Sequence, residues 1–283
     1  MSERLATHLS RLLAAGTPAV LVTVAEAKGS TPREEGAAML VTDERSHGTV
    51  GGGRLEWECL AQARKLVAGG QAESWAEIPL GPAVGQCCGG HVRIRLRRAG
   101  AAELAELETA EDAAAASLPT VLLFGAGHVG RALAPALSPL PLRLRWIDGR
   151  AGEFPVEAPE GVEVIVTGRP LAEIERAAPG SAAFVLTHSH SLDFTLCSAV
   201  LERGDFAYLG LIGSATKRAK FARGFRELGI PQSRIDAMAC PIGGSALRDK
   251  RPAVIAALAA AELLLALARV RTTAAASAQE RAA

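Results

Sequence analysis

The sequence predicts an α/β protein in which a smaller N-terminal α+β domain precedes a Rossmann-like domain with a doubly wound parallel sheet. Three observations support this prediction. From residue 120 onward, short apolar segments alternate with helix-like segments, as strands and helices do in parallel sheets. A Gly-x-Gly-x-x-Gly pattern follows the first of these strands. Before residue 100 the chain is instead mostly strand-like, with helix-like segments at its flanks.

The composition divides the 283 residues into four segments. Residues 1–100 form the predicted N-terminal domain, and residues 119–271 form the Rossmann-like domain. Between them, residues 101–118 are rich in Ala, Glu and Leu and contain no aromatic residue, a composition that suits either a solvated helix or a loose tether. Residues 272–283 are predicted to be a disordered tail.

The elements of the N-terminal domain follow from local patterns. A buried strand is predicted for AVLVTVAEA, and a second strand that ends at a turn for AAMLVTDE. Apolar residues from Leu55 to Leu66 recur at helical spacing, which predicts a helix after the glycines. The segment HVRIRLRR alternates apolar and arginine side chains, which predicts a half-buried strand with a basic outer face.

The Rossmann-like domain is predicted to contain five strands, TVLLF, LRLRWID, VEVIV, AAFVL and FAYLGLIG. Helices are predicted for HVGRALAPAL and SATKRAKFARGFRELG. The apolar segment from Ala253 to Ala268 is short for a membrane span and contains Glu262. We therefore predict that it is a core-facing helix.

The overall composition narrows the function class. The net charge is +1, so nucleic-acid or membrane-surface binding is not expected. Five cysteines, an odd number, argue against a secreted disulfide framework. The first residues lack the continuous apolar core of a signal peptide. These observations predict a cytoplasmic protein with reduced thiols.

The glycine pattern consists of Gly125, Gly127 and Gly130. In a nucleotide-binding turn, the first glycine permits the tight turn, the second allows a pyrophosphate to approach and the third allows helix and strand to pack. Asp148 ends the next strand, where an acidic side chain would meet a ribose hydroxyl. His128 lies inside the pattern and either contacts the ligand or faces solvent. The alternative is a Rossmann scaffold without a ligand.

Two further strand ends carry polar residues. His188 and His190, followed by Asp193, come after a strand, and we consider metal binding, ordinary capping, and contact with a ligand or partner. Ser214 and Lys217 follow the last strand of the sheet. They resemble an anion site at a helix N-terminus, although a solvated basic helix face is an equal alternative.

The N-terminal domain has an unusual set of glycines and cysteines. Gly51, Gly52 and Gly53 allow the backbone to approach a ligand closely. Cys87 and Cys88 are adjacent in a glycine loop, which favours a soft ligand, a sulfur substrate or redox chemistry over core packing. Cys59 lies on the helix face of Leu55 and Leu66, so buried packing is an equal alternative for it.

These segments together resemble the XdhC/CoxI family of xanthine dehydrogenase accessory proteins. The resemblance covers residues from about 20 to 265, in the order KGSTPRE, GTVGGGRLEWE, GQCCGG, FGAGHVGRALA, THSHSLDF, GLIGSATKRAKF and CPIG. The segment after Pro241 departs from the form associated with other branches, so no role is carried over to Lys250 or Arg251.

The resemblance implies a molybdenum-cofactor chaperone that is not an enzyme. Such a protein binds molybdopterin, supports cofactor sulfuration with a cysteine desulfurase, and inserts the cofactor into a molybdenum hydroxylase of the xanthine dehydrogenase type. Cys59, Cys87 and Cys88 are then candidate contacts of molybdenum or sulfur. Gln86 and the glycine loops would contact the cofactor, and Arg93 and Arg95 could hold its anionic end.

Several alternatives stay open at this point. The Rossmann site could hold NAD(P), another nucleotide, or the phosphate end of the cofactor. An NAD(P)-dependent oxidoreductase is the alternative function, although no base is paired with an orienting carboxylate. Metal-dependent hydrolysis at His188, His190 and Asp193 ranks last. We expect a homodimer, because enclosing a pterin would require a large shared surface.

Overall fold

A computed structural model of the chain describes residues 4–69, 71–80, 89–244 and 249–282, with side chains described up to residue 270. The chain divides between Ala116 and Ser117 into two compact units. This division lies inside the segment 101–118 that separates the two predicted domains. Each unit has its own sheet.

The N-terminal unit is built on a five-stranded antiparallel sheet. The strand order is β3-β2-β1-β5-β4. Its elements in chain order are α1 (Leu5–Ala14), β1 (Val20–Lys28), β2 (Ala38–Val41), β3 (Ser46–Gly48), α2 (Gly53–Ala68), β4 (Glu73–Pro79), β5 (His91–Arg98) and α3 (Ala101–Ser117). These elements form the α+β domain that the sequence predicts.

Apolar side chains cover both faces of this sheet. On one face, Leu55 and Ala63 of α2 pack with Val22 and Ile94 of the strands. On the other, Leu9 of α1 and Leu107 of α3 pack with Leu21 and Leu40. The alternation in β5 is as predicted, with Val92, Ile94 and Leu96 buried.

The outer arginines of β5 do not form the open basic face that the sequence predicted. The Arg93 guanidinium lies 2.9 Å from the Glu26 carboxylate, and Arg95 lies 2.9 Å from Glu73. Arg97 pairs with Glu103 and Glu106 of α3. The cationic charges are therefore already neutralised by carboxylates, and the proposed hold of Arg93 and Arg95 on an anion has no support in the geometry.

The segment between the predicted domains is a helix. Helix α3 is anchored to the N-terminal unit, because Arg97 binds its acidic residues and Arg4 binds Glu111 at 2.7 Å. Of the two alternatives left by the sequence, the helix is the one adopted.

The C-terminal unit is a parallel sheet with helices on both faces. Its strands are β6 (Thr120–Phe124), β7 (Arg143–Asp148), β8 (Val162–Val166), β9 (Ala182–Val185) and β10 (Tyr208–Leu211). Its helices are α4 (His128–Leu137), α5 (Leu171–Arg176), α6 (His190–Arg203), α7 (Ala215–Glu227), α8 (Gln232–Ala237) and α9 (Pro252–Ala282), with a 3₁₀ turn at Ala151–Glu153.

The strand order of this sheet is β10-β9-β6-β7-β8, and every neighbouring pair is parallel. The predicted doubly wound sheet is thereby confirmed. In chain order, β6, β7 and β8 extend the sheet to one side, and β9 and β10 then extend it to the other side of β6. The crevice beyond the ends of β6 and β9 is therefore the switch point where such folds bind ligands.

Helix α9 is long and apolar enough over Pro252–Val270 to cross a membrane by composition alone. Ala256, Ala259 and Leu263 lie in the core with α4 and the sheet. One face of α9 is therefore buried, as the sequence predicted for a core-facing helix. The helix continues to Ala282, where a disordered tail was predicted from residue 272. An alanine-rich segment that lacks Gly and Pro after Pro252 favours helix over coil, which explains the difference.

Candidate functional site

The three glycines after β6 serve different purposes. A β-carbon at Gly125, whose φ is +116°, would lie 2.3 Å from the carbonyl oxygen of Leu186. One at Gly130 would lie 2.1 Å from the carbonyl oxygen of Gly125. One at Gly127 would meet no described atom within 4 Å. The fold itself therefore requires Gly125 and Gly130, and the open space lies at Gly127, where a ligand would approach.

Asp148 is fully occupied by donors from the protein. Its Oδ2 accepts hydrogen bonds from the Ala126 amide at 2.8 Å and from Arg150 Nη2 at 2.9 Å. Its Oδ1 accepts from the backbone amide and Nε of Arg150, both at 3.0 Å. A carboxylate has about four acceptor positions, so this arrangement leaves none for the ribose hydroxyl that the sequence suggested.

The charge of Asp148 is stabilised by the same contacts. Burial alone would raise the pKa of this carboxyl, but hydrogen bonds from Arg150 and Ala126 outweigh burial and hold the pKa below its ordinary value. The ionised Asp148 carboxylate therefore holds the glycine turn in place through its hydrogen bond with the Ala126 amide.

Three histidines lie exposed at the ends of two neighbouring strands. His128 begins α4 after β6, and His188 and His190 follow β9. Ser189 caps helix α6 by accepting a hydrogen bond from the Leu192 amide at 3.3 Å. In the described part of the chain, no group of three or more His, Cys, Asp or Glu side chains is placed to hold a metal. Metal binding at this strand end thus has no support from the geometry.

Asp193 and Lys217 form a buried pair beside these histidines. The two side chains are 2% and 12% exposed, and Lys217 Nζ lies 2.6 Å from Asp193 Oδ2. Lys217 also donates to the Ile212 carbonyl at 3.0 Å, and Asp193 Oδ1 accepts from Thr187 Oγ1 at 2.6 Å. The pair therefore joins the ends of β9 and β10 to helices α6 and α7.

This pairing changes the interpretation of the predicted anion site. Ser214 caps α7, since its Oγ accepts from the Lys217 amide at 3.2 Å. The Lys217 ammonium is turned inward onto Asp193 and is not presented to an external anion. Sequence reasoning named both residues but missed the pair, because 23 residues separate them and no local pattern links them.

Three glycine-containing segments of the N-terminal unit lie against one another. A β-carbon at Gly90 would lie 2.2 Å from the Ser30 carbonyl oxygen. One at Gly29 would lie 3.3 Å from the α-carbon of Gly90. One at Gly51 would lie 2.5 Å from Pro32 Cγ. The segments 29–33, 49–53 and 89–90 therefore lie close together, through backbone contacts at Gly29 and Gly90 and through the Pro32 ring at Gly51, and we call them the glycine junction.

Glu56 organises one of these segments. Its Oε2 accepts hydrogen bonds from the hydroxyl of Thr49 and from the amides of Val50 and Gly52, the latter two at 3.3 and 3.2 Å. The donors before helix α2 are thus used by a carboxylate of the chain itself. The sequence analysis missed the part that Glu56 plays.

Of the three cysteines in the N-terminal unit, the structure describes Cys59. Cys59 is 1% exposed and packs in the core of α2 and the sheet. Burial raises the pKa of its thiol to about 12, with smaller contributions from Glu58 and Glu56. It therefore lies where the packing alternative places it, without access for molybdenum. Gln86, Cys87 and Cys88 lie outside the described residues, directly before Gly89 in the sequence.

The described residues on either side of segment 81–88 are hydrogen-bonded to each other. The Gly89 amide donates to the Leu80 carbonyl at 2.7 Å, and the Leu80 amide donates to the Gly90 carbonyl at 2.7 Å. Gly90 in turn contacts Ser30 in the glycine junction. Leu80, which precedes segment 81–88, is therefore linked through Gly90 to the junction.

Comparison with known proteins gives matches in both units. The family described as the XdhC and CoxI family matches residues 12–76, and the XdhC Rossmann domain matches residues 121–263. The uncharacterized protein YqeB of Escherichia coli (strain K12) is 27% identical over 267 residues. That alignment covers 91% of this chain but 45% of YqeB, so the chain spans less than half of its relative.

A solved structure has the same fold. It is the crystal structure of a protein described as a xanthine dehydrogenase from Bacillus halodurans, with a TM-score of 0.75 and 19% identity. The match covers 94% of this chain and 96% of the other. At this identity the likeness establishes the architecture of both units and no more.

Proposed function

This chain belongs to the XdhC and CoxI family, and from that premise we propose that it is an accessory protein of a molybdenum hydroxylase of the xanthine dehydrogenase type. It binds the molybdenum cofactor, supports its sulfuration and inserts it into the hydroxylase. Its direct partners are then the hydroxylase and a cysteine desulfurase, and its place of action is the cytoplasm. It is a carrier and does not turn over a substrate.

The observation that carries this proposal is the glycine junction. Three backbone segments meet there, and the last of them directly follows Cys87 and Cys88 in the sequence. β-Carbons at Gly52 and Gly89 would meet no described atom within 4 Å, so no described residue blocks a guest at either position. The residues fit a bulky ligand with a soft centre, which requires close backbone approach and thiolate contacts.

The roles of the candidate residues follow from these surroundings. Gln86, Cys87 and Cys88 would contact the molybdenum–dithiolene end, where the bound cofactor supplies a metal centre with an exchangeable terminal ligand. The backbone at Gly52 and Gly89 would line the site. Glu56 holds the turn of residues 49–53 in place. Cys59 supports the fold and takes no part in binding.

The Rossmann unit would hold a phosphate. The open space at Gly127 lies at the N-terminus of α4, where backbone amides and the helix dipole favour an anion. His128, His188 and His190 are exposed at the adjoining strand ends. Because Asp148 has no acceptor position left for a ribose hydroxyl, a phosphate group without a ribose at Asp148 fits this turn better than NAD(P).

The test is the pterin content of the full-length protein. The chain is purified without oxygen from cells that make molybdopterin, and the bound pterin is oxidised and measured by fluorescence. We expect close to one pterin per chain, reduced at least tenfold by Cys87→Ser or Cys88→Ser. Cys59→Ala is the matched control and should keep the wild-type ratio. A pterin-free wild type that reduces NAD(P) with a small substrate would establish the oxidoreductase instead.

A further inference from the structure

The three tryptophans of the chain have different surroundings. Trp146 is fully buried and donates to the Gly125 carbonyl at 3.0 Å. Trp75 lies beneath two guanidinium groups, 4.3 and 5.4 Å from the centre of its ring. Trp57 is 68% exposed, and no ring of the described residues packs against it. One large aromatic side chain is thus largely exposed, with no aromatic ring of the described residues against it.

Trp57 has no part in the core of its own unit. The buried residues of α2 are Leu55, Cys59, Ala63 and Leu66, which lie on the opposite side of the helix. Residues three and four positions apart on a helix are neighbours, so Trp57 shares its surface with Arg54 and Gly53. The indole therefore lies one helical turn from the glycine junction, on a helix whose start is fixed by Glu56.

The surroundings of Trp57 suit a flat ring better than a phosphate. The amides of Val50 and Gly52 already donate to Glu56, so they are not available to an anion. The guanidinium of Arg54 lies 2.9 Å from the Glu58 carboxylate, which neutralises it. The glycines at positions 51–53 place no side chain between the turn and the indole. What the surface offers is the exposed ring of Trp57.

We infer that Trp57 is the stacking surface for the pterin of the bound cofactor. This inference rests on the proposed function and assigns a residue to the heterocyclic end of the ligand. The pyrimidine ring of a pterin is planar and polarisable, and aromatic faces bind such rings in offset stacks. A rigid indole on α2 then sets the orientation of the pterin.

The experiment compares four forms of the full-length protein, loaded with molybdopterin without oxygen. These are the wild type, Trp57→Ala, Trp57→Phe, and Leu228→Ala, which removes an exposed apolar side chain from the other unit. The first readout is the pterin that stays bound during dilution. The second is the change in indole emission between loaded and stripped protein. Thermal unfolding shows whether each variant remains folded.

We expect Trp57→Ala to lose pterin about ten times more readily than the wild type. Trp57→Phe keeps a ring and should stay within about threefold of the wild type, as should Leu228→Ala. Loading should quench indole emission in the wild type and in Leu228→Ala. The quenching should disappear in both Trp57 variants, because the stacked indole has been removed.

Three outcomes would overturn the inference and can be told apart. If the wild type holds pterin and Trp57→Ala holds it equally well, only the stacking assignment fails. If the wild type holds none, the proposed function fails with it. A Trp57→Ala protein that keeps its pterin but no longer binds the hydroxylase would show that the indole contacts the protein partner instead.

Discussion

At the scale of single residues, the environment of a side chain separates cysteines that look equivalent in the sequence. Cys59 shares a helix face with Leu55 and Ala63 and is buried with them. Cys87 and Cys88 lie between glycines, a setting typical of loops near a surface. The thiol chemistry of the N-terminal unit is therefore expected at positions 87 and 88 and not at 59.

The reactivity of Cys59 tests this distinction. Because burial raises the pKa of its thiol to about 12, almost no thiolate exists at neutral pH. We expect iodoacetamide to leave Cys59 unmodified in the folded protein at pH 7 and to modify it after denaturation. Mass spectrometry of the modified peptides measures this. Rapid modification of Cys59 in the folded state would show that its thiol is accessible.

The same shift has a consequence for stability at high pH. The pKa of Cys59 is higher in the folded chain than its ordinary value of 9.0, so the folded state favours the protonated thiol. The associated stability is fully present below about pH 9 and is lost as the pH rises towards about 12. Wild-type stability should therefore fall more steeply over this range than that of Cys59→Ala, as measured by urea unfolding.

The three glycines of the Rossmann turn should respond differently to substitution. Gly127→Val should leave the fold intact and weaken pterin or nucleotide binding at least tenfold, because the side chain enters open space that a ligand needs. Gly168→Val, also at a site with no described atom within 4 Å, should change neither property. Gly130→Ala should destabilise the unit itself. Unchanged affinity in Gly127→Val would mean that the turn is only scaffold.

At the scale of elements, the start of helix α2 is held by the side chain of Glu56, which the sequence analysis did not single out. Replacing Glu56 with Gln should cost about 1–2 kcal/mol of unfolding free energy, because the carboxylate oxygen collects the donors before α2. Glu58→Gln, which affects only a surface pair with Arg54, should cost under about 0.5 kcal/mol. Equal effects in urea unfolding would contradict the role of Glu56.

Replacing one member of the Asp193–Lys217 pair, which joins β9 and β10 to α6 and α7, should cost more unfolding free energy. Lys217→Met leaves the buried Asp193 carboxylate without its cation, and loss of one partner of a buried pair costs about 3–5 kcal/mol. Arg223→Met breaks an exposed pair with Glu227 on the same helix and should cost under about 1 kcal/mol. Thermal unfolding distinguishes them, and equally small effects of the two substitutions would contradict the stabilising role of the Asp193–Lys217 pair.

Elements with a strong local pattern were predicted well, and contacts between distant residues were not. The parallel sheet followed from the alternation of strands and helices, and β5 from its period of two. The arginines of β5 looked free because their partners Glu26, Glu73 and Glu106 lie on other elements. Asp148 looked available for a ribose because the sequence does not show that the Ala126 amide and the Arg150 guanidinium donate hydrogen bonds to its carboxylate.

At the scale of the whole molecule, each unit has its own sheet and core. The glycine junction and the proposed thiol contacts belong to the N-terminal unit, and the open Gly127 belongs to the Rossmann unit. Family membership covers both units. We propose that the N-terminal unit of this carrier binds the cofactor, that its Rossmann unit has an anion site of its own, and that the protein acts as a homodimer.

The most direct test of a carrier is transfer of what it carries. The protein, loaded with cofactor in the absence of oxygen, is mixed with a cofactor-free hydroxylase of the xanthine dehydrogenase type, and molybdenum is measured in each after separation. The account predicts that molybdenum and pterin leave this chain and appear in the hydroxylase in equal amounts. Cofactor that stays on the chain, or a hydroxylase that fills equally fast from free cofactor alone, would contradict it.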